Sequence, residues 1–462
     1  MSHQSDEIVS GDKLASANPA ASLSSYFESG KTGKNVVPSS VASTCSVEWS
    51  ESSDSYDATS TSFARGSVPL TDELPQEMIA HVERNVELLG KLLAKVQASR
   101  PEQTSSSSTT MLKFMEQEKF VICPSRPILD VQEAIRFPAQ DTLNKRENVP
   151  QEELDETVSE QLYDYMYTLA TFCQGDLDEQ EDEGCGDCTI GSSSPFHSYE
   201  RASKAAVAVS QMLSLLVESS SCNDNETDVG IVKRLSNPLV TFASVFAAMI
   251  QYTDHPGAVV DEKDPLVAKY GDRCIPQQLA FDTAMNLLLE EDFEDLRFHI
   301  YKTPEEFDLF RHVVVNALMG TEDANDIVSI DFKTDILERR ESRWNRAFGG
   351  SSTGKRIKGV NPNDFQATVV IELLLQAANV SYASASWDQF SASLESLLRE
   401  LPRAPSASAW HERELRYLET FAVQPLKQLQ NLDVFLDICS VQLEQLDSNR
   451  RRWAEWGEEF IG

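Results

Sequence analysis

Two histidines stand where proton or metal chemistry is conceivable. His197 lies in Pro195-Phe196-His197-Ser198-Tyr199-Glu200-Arg201-Ala202-Ser203-Lys204, and His255 in Gln251-Tyr252-Thr253-Asp254-His255-Pro256-Gly257. Imidazole titrates near neutral pH, so either ring suits a general acid or a nitrogen ligand to a divalent ion. Arg201 follows His197 by one helical turn and Lys204 follows Arg201 by nearly another. That spacing sets both cations on one face as candidate phosphate contacts. The competing reading has them solvated or paired with nearby carboxylates, and has His255 as a hydrogen-bonded core residue.

Weaker patterns carry less. Cys185-Gly-Asp-Cys188 has metal-ligand spacing but no second pair, and sits among the seven carboxylates between Asp176 and Asp187. It reads as an exposed, idle pair, the alternative being a site completed in space by Cys173 and His197. Gly349 to Lys355 resembles a phosphate-binding loop until Arg356, where a hydroxyl should meet Mg²⁺, and it follows a helix rather than a strand; it reads as a linker.

The elements that must hold these residues are helical. Apolar residues recur at three- and four-residue steps from Met78 to Leu93 and from Leu162 to Phe172. The same period predicts helices over Ala205–Glu218, Pro238–Gln251, Gln277–Glu290, Pro304–Met319, Asp364–Val380, Trp387–Leu401 and Glu412–Leu446, with short candidates at Met111–Val121 and Ile128–Phe137. Alternating β-branched runs are nearly absent. The expectation is an all-α, multi-helix domain from 72 to 462, with polar loops at 219–229 and 348–363. Residues 1–71 read as a disordered tail, because 19 serines in the first 70 residues leave few apolar side chains to bury.

Over 462 residues, 74 acidic and 40 basic side chains give a net charge of −34. Such a surface argues against a general nucleic-acid binder, which must neutralise phosphates. No apolar run approaches the roughly 18 residues of a membrane span. The polar start and eight scattered cysteines predict a reducing, cytoplasmic setting.

A family resemblance rests on five ordered segments. Asn237-Pro238-Leu239 through Phe246-Ala247-Ala248 to Asp254-His255-Pro256-Gly257 resembles the core of class I 3′,5′-cyclic-nucleotide phosphodiesterases, which place His-Asp-x-Asp-His-Pro-Gly after such a helix. Pro195–Ser203 is similar to their Phe/Tyr-His-Asn-x-x-His-Ala segment, Tyr270–Cys274 to Tyr-x-Asp-x-Ser, and Ile371–Ser381 to the helix bearing a metal-binding Asp. Phe421 to Leu426, with Asn449-Arg450 and Trp453, resembles the closing helices. The likeness runs from about 76 to 460, its core motifs within 195–460.

What the resemblance implies is a two-metal hydrolase fold with its metal ligands replaced. The family holds Zn²⁺ and Mg²⁺ with two His and two Asp. The corresponding positions here are Arg201, Gln251, Tyr252 and Asn379. A guanidinium repels a metal, and neutral amides and an un-ionised phenol bind one poorly. The expectation is therefore no metal cofactor. His197 matches the family's general acid and His255 a histidine lining the same site, both as vestiges. The family's purine-selecting Gln falls on Glu414 or Leu415, and its stacking Phe on Leu418 or Tyr417.

The implied role is a non-hydrolytic partner in cyclic-nucleotide signalling, binding a cyclic nucleotide, an active homologue or a cyclase. An active phosphodiesterase with an altered site built from His197, Asp254 and His255 is the first alternative. A helical interaction scaffold is the second.

Overall fold

Asn237 and Pro238 start a helix buried on nearly every side. The Asn237 side chain accepts the Leu239 N–H at 2.9 Å, and Pro238 supplies a pre-set first turn. From Leu239 to Ile250 only Thr241 is less than buried. A helix apolar all round belongs at the centre of a domain. Its Phe242 and Phe246 meet Phe310 with ring centroids 6.2 and 5.3 Å apart. Each such ring, fully buried, stabilises by roughly 1.5–3 kcal/mol.

The computed structural model describes residues 74–100, 135, 137, 154–173, 194–219, 226–257, 265–271, 273–322, 334–349, 361–400 and 406–461. All lie in one compact unit beginning at Leu70. In chain order the helices are α1 (Gln76–Ser99), α2 (Glu156–Phe172), α3 (Tyr199–Ser219), α4 (Glu226–Leu235), α5 (Pro238–Ile250), α6 (Pro265–Tyr270), α7 (Ile275–Leu288), α8 (Glu294–Ile300), α9 (Pro304–Gly320), α10 (Thr334–Phe348), α11 (Pro362–Asn379), α12 (Trp387–Glu400), α13 (Ala407–Tyr417), α14 (Val423–Gln430) and α15 (Leu436–Ile461). No strand occurs among the described residues, as the all-α expectation required, and none of their helices is long and apolar enough to cross a membrane.

Around α5 pack α1, α3 and α9, while α11 packs on α9, α3, α4 and α14. Gly320 lets the end of α9 approach α11 closely: a Cβ there would come 2.9 Å from the Cβ of Glu372. Asn449 of α15 donates at 2.9 Å to the carbonyls of Ala383 and Ala385. It thereby fixes the turn that follows α11.

Three expectations need correction. The predicted single helix Glu412–Leu446 is broken at Asn431–Leu432 and carries a π segment over Leu418–Ala422. Pro425 explains the π segment, because a proline ring clashes with the carbonyl four residues earlier, here Phe421, and widens the turn. Second, α3 begins six residues before Ala205, since Tyr199 and Ala202 are buried among polar neighbours that hide the period. Third, α10 escaped the apolar pattern altogether. Its charged sequence is held by the Asp335–Arg339 pair and by arginines reaching other elements. The first 73 residues, Met111–Val121, the acidic stretch with Cys185 and Cys188, and residues 350–360 lie outside the described residues; of Ile128–Phe137, only Ile135 and Phe137 are described, and neither is helical.

Arg343 of α10 grips the buried carboxylate of Glu372 on α11 through Nε at 2.9 Å and through Nη2. Removing one partner of such a pair strands a buried charge and costs about 3–5 kcal/mol. Arg343→Ala is expected to lose that much in urea unfolding, and Arg343→Ala with Glu372→Gln to recover most of it. A loss below about 0.5 kcal/mol in the single variant contradicts this account.

Candidate functional site

The site forms where the turn ahead of α3, the turn after α5, the end of α11 and the end of α12 meet. Glu400, last residue of α12, is the clamp. Its Oε2 accepts the N–H groups of Phe196 and His197 at 3.0 and 3.2 Å, and its Oε1 accepts His197 Nδ1–H at 2.5 Å. Three donors on one side chain that is only 3% exposed fix the loop, and with it the imidazole. Burial pushes the Glu400 carboxyl up, but the charge of His197 and these hydrogen bonds outweigh it and hold the group below the usual carboxylate range.

His255 enters from a strained turn. Asp254 has φ 55° and Gly257 φ 81°, the left-handed region in which glycine is at ease. Gly257 N–H donates to His255 Nδ1 at 3.2 Å, so the neutral ring carries its proton on Nε2, and that buried Nε2 has no hydrogen-bond partner. The ring lies flat on His197, centroids 3.9 Å apart and planes 15° from parallel. Burial, then the neighbouring positive charges of His197 and Arg201, hold His255 well below its ordinary pKa.

Arg201 occupies the centre of the substituted positions. Its guanidinium lies 3.6 Å from the Phe196 ring centroid, 4.7 Å from Tyr382 and 5.7 Å from Tyr252, and Nη2 donates to the Asn379 carbonyl at 2.8 Å. Each cation–π contact away from water contributes up to about 2 kcal/mol. Arg201, Tyr252 and Asn379 thus converge, and Gln251 sits buried beside Tyr252 with neither amide atom bonded. An open cavity of about 380 Å³ lies against Arg201, lined also by Phe196, Asn379, Tyr382, Gln389 and Ser393. Neither His197 nor His255 lines it. Lys204 does, but it is exposed and paired with Glu200 at 2.6 Å.

The remaining sequence candidates are placed as follows. Asp254 is exposed and accepts from Thr283 at 3.3 Å. Glu414 is fully buried against Arg413 at 2.5 Å, and Tyr417 and Leu418 are core residues. Cys173 donates to the Tyr252 carbonyl at 3.4 Å, its thiol pushed by burial to about 12.

Glu400 is the residue of this cluster that sequence reasoning missed. A signal existed: an acidic residue closing a helix opposes the helix dipole, so a carboxylate kept there needs a compensating partner.

The expectation that no metal is held is overturned by this cluster. One ligand atom from each of His197, His255 and Glu400 lies within 4.8 Å of the others. Two imidazole nitrogens and a carboxylate oxygen suit Zn²⁺ and its first-row neighbours. The lone pairs lie in nearly parallel planes, so a shared ion requires one ring to swing out of the stack. A two-metal centre at Arg201, Gln251, Tyr252 and Asn379 does not fit, because a guanidinium fills it.

No family model matches the chain, and no curated protein matches it. Among solved structures it is similar to the phosphodiesterase domain of Salpingoeca rosetta rhodopsin phosphodiesterase, at 16% identity and a TM-score of 0.45, over 66% of this chain and 85% of that one. That likeness is too loose to bear on function.

Below about pH 6.5 the unfolded chain binds a proton at His255 that the folded chain refuses, so stability falls as pH falls. Glu400 acts in the next window: its contribution is present above the ordinary carboxylate value of about 4.3 and is lost below it. In EDTA, the stability difference between wild type and His255→Leu is expected to shrink from pH 7.5 to 5.5, by at most about 1.4 kcal/mol per pH unit. A pH-independent difference contradicts the assignment.

Proposed function

We propose that this chain is a cyclic-nucleotide phosphodiesterase-fold protein that has lost the two-metal hydrolytic centre and acts as a binding or regulatory component of cyclic-nucleotide signalling. The observation that carries the reading is the guanidinium of Arg201, held among Phe196, Tyr382 and Tyr252 and tied to Asn379. Hydrolysis of a cyclic phosphodiester near neutral pH needs an acidified water and clamped phosphoryl oxygens, which paired metals supply. A fixed cation supplies charge for a phosphate but cannot generate hydroxide.

His197 would remain able to hold or hand over a proton through Glu400. A general acid alone contributes roughly 10²–10⁴-fold in rate, far short of what phosphodiester cleavage demands. An ion at His197, His255 and Glu400, when bound, would supply Lewis-acid charge. That donor set favours, as a second reading, a hydrolase with a single relocated metal. Among the described residues, the buried thiols Cys173, Cys274 and Cys439 suit a reducing cytoplasm. An active homologue or a cyclase is the partner class this reading implies.

Purified protein is expected to turn over neither cyclic AMP nor cyclic GMP with Mg²⁺ or Mn²⁺, and to hold at most about one equivalent of metal. Calorimetric titration in EDTA is expected to show binding of a cyclic nucleotide that Arg201→Ala weakens at least about tenfold. Two equivalents of metal with turnover overturn the proposal; absence of binding leaves the interaction scaffold.

A further inference from the structure

A second cavity, sharing no lining residue with the one at Arg201, opens between the end of α9, helix α10 and the middle of α11. Its wall carries four arginines, Arg273, Arg339, Arg340 and Arg343, against two carboxylates, Glu322 and Glu372. In a chain with a net charge of −34 this is a concentrated positive surface.

The carboxylates do not use up the guanidinium groups. Glu372 is engaged by Arg343, and Glu322 lies 2.6 Å from Arg339 and 3.6 Å from Arg273. Arg340 instead donates Nη2 to the Glu322 backbone carbonyl at 2.6 Å. Its Nε, and that of Arg273, are buried with no hydrogen-bond partner. Buried unsatisfied donors on charged groups are costly, so the groups around Arg273 and Arg340 leave both guanidiniums short of partners.

We infer that this cavity binds a phosphate group, as hydrogenphosphate or as the end of a phosphomonoester. Planar guanidinium forks match tetrahedral oxyanions two hydrogen bonds at a time. The cavity's volume of about 60 Å³ is several times the roughly 10–15 Å³ one water needs, room for a phosphate but not for a nucleotide. Gln376 also lines the cavity, is only 5% exposed, and is held by donating Nε2 to the Gly320 carbonyl at 2.9 Å. Arg273 and Arg339 are about one-third exposed, at 36% and 34%, which leaves a way in from solvent.

The test is calorimetry and thermal melting of the full chain with inorganic phosphate, O-phosphoserine and chloride. Saturable phosphate binding, weakened at least about tenfold by Arg340→Gln, supports the site. The tighter of phosphate and phosphoserine names the natural source. No saturable heat or melting shift up to about 10 mM phosphate overturns it, as does equal binding of phosphate and chloride. Should Arg340→Gln fail to fold, the partly exposed Arg339→Gln replaces it; a folded variant with wild-type phosphate affinity also overturns the proposal.

Discussion

A guanidinium pressed among aromatic rings is tolerable only where the surroundings repay the hydration it loses, and the arrangement around Arg201 follows from that requirement. Phe196 must lie flat beneath it, so the turn ahead of α3 must be rigid; Glu400 makes it rigid by taking both backbone N–H groups of Phe196 and His197. Tyr382 must close from another side, so the short turn after α11 must be pinned, which Asn449 does from α15. The Asn379 carbonyl, left open where α11 ends, becomes the hydrogen-bond acceptor. One cation thus ties together segments almost two hundred residues apart.

The same economy explains the histidine pair. Two imidazoles stacked face to face cannot both carry charge at low cost, and the hydrogen bonds divide them: His197 gives a proton to a carboxylate, while His255 accepts from a backbone N–H. The two rings are chemically unlike despite lying 3.9 Å apart. An ion that bound there would have to undo that division.

Helix type was legible wherever one face was apolar, as in α5 and α11, because burial on the helical period is a local property of the chain. It was illegible in α10, whose Arg339 and Arg343 have meaning only against Glu322 and Glu372 on other elements. The site shows the same split. His197, Arg201, Tyr252, His255 and Asn379 stood out by type and spacing, and each of them touches another through a ring contact or a hydrogen bond. Glu400 lies 203 positions from His197, a pairing no local pattern reveals. Arg340 likewise declares itself only through an atom left unpaired in the folded chain.

The widened turn at Leu418–Ala422 changes the phase of the helix it interrupts. One extra residue in a helical turn rotates everything before it by about 100° relative to everything after. Side chains on the two sides of this segment therefore face directions that a regular helix would not give them. A homologue without a proline at the place of Pro425 would keep the regular phase and present a different side chain to the interior there. Alignments of this segment by sequence alone should slip by one residue on crossing it.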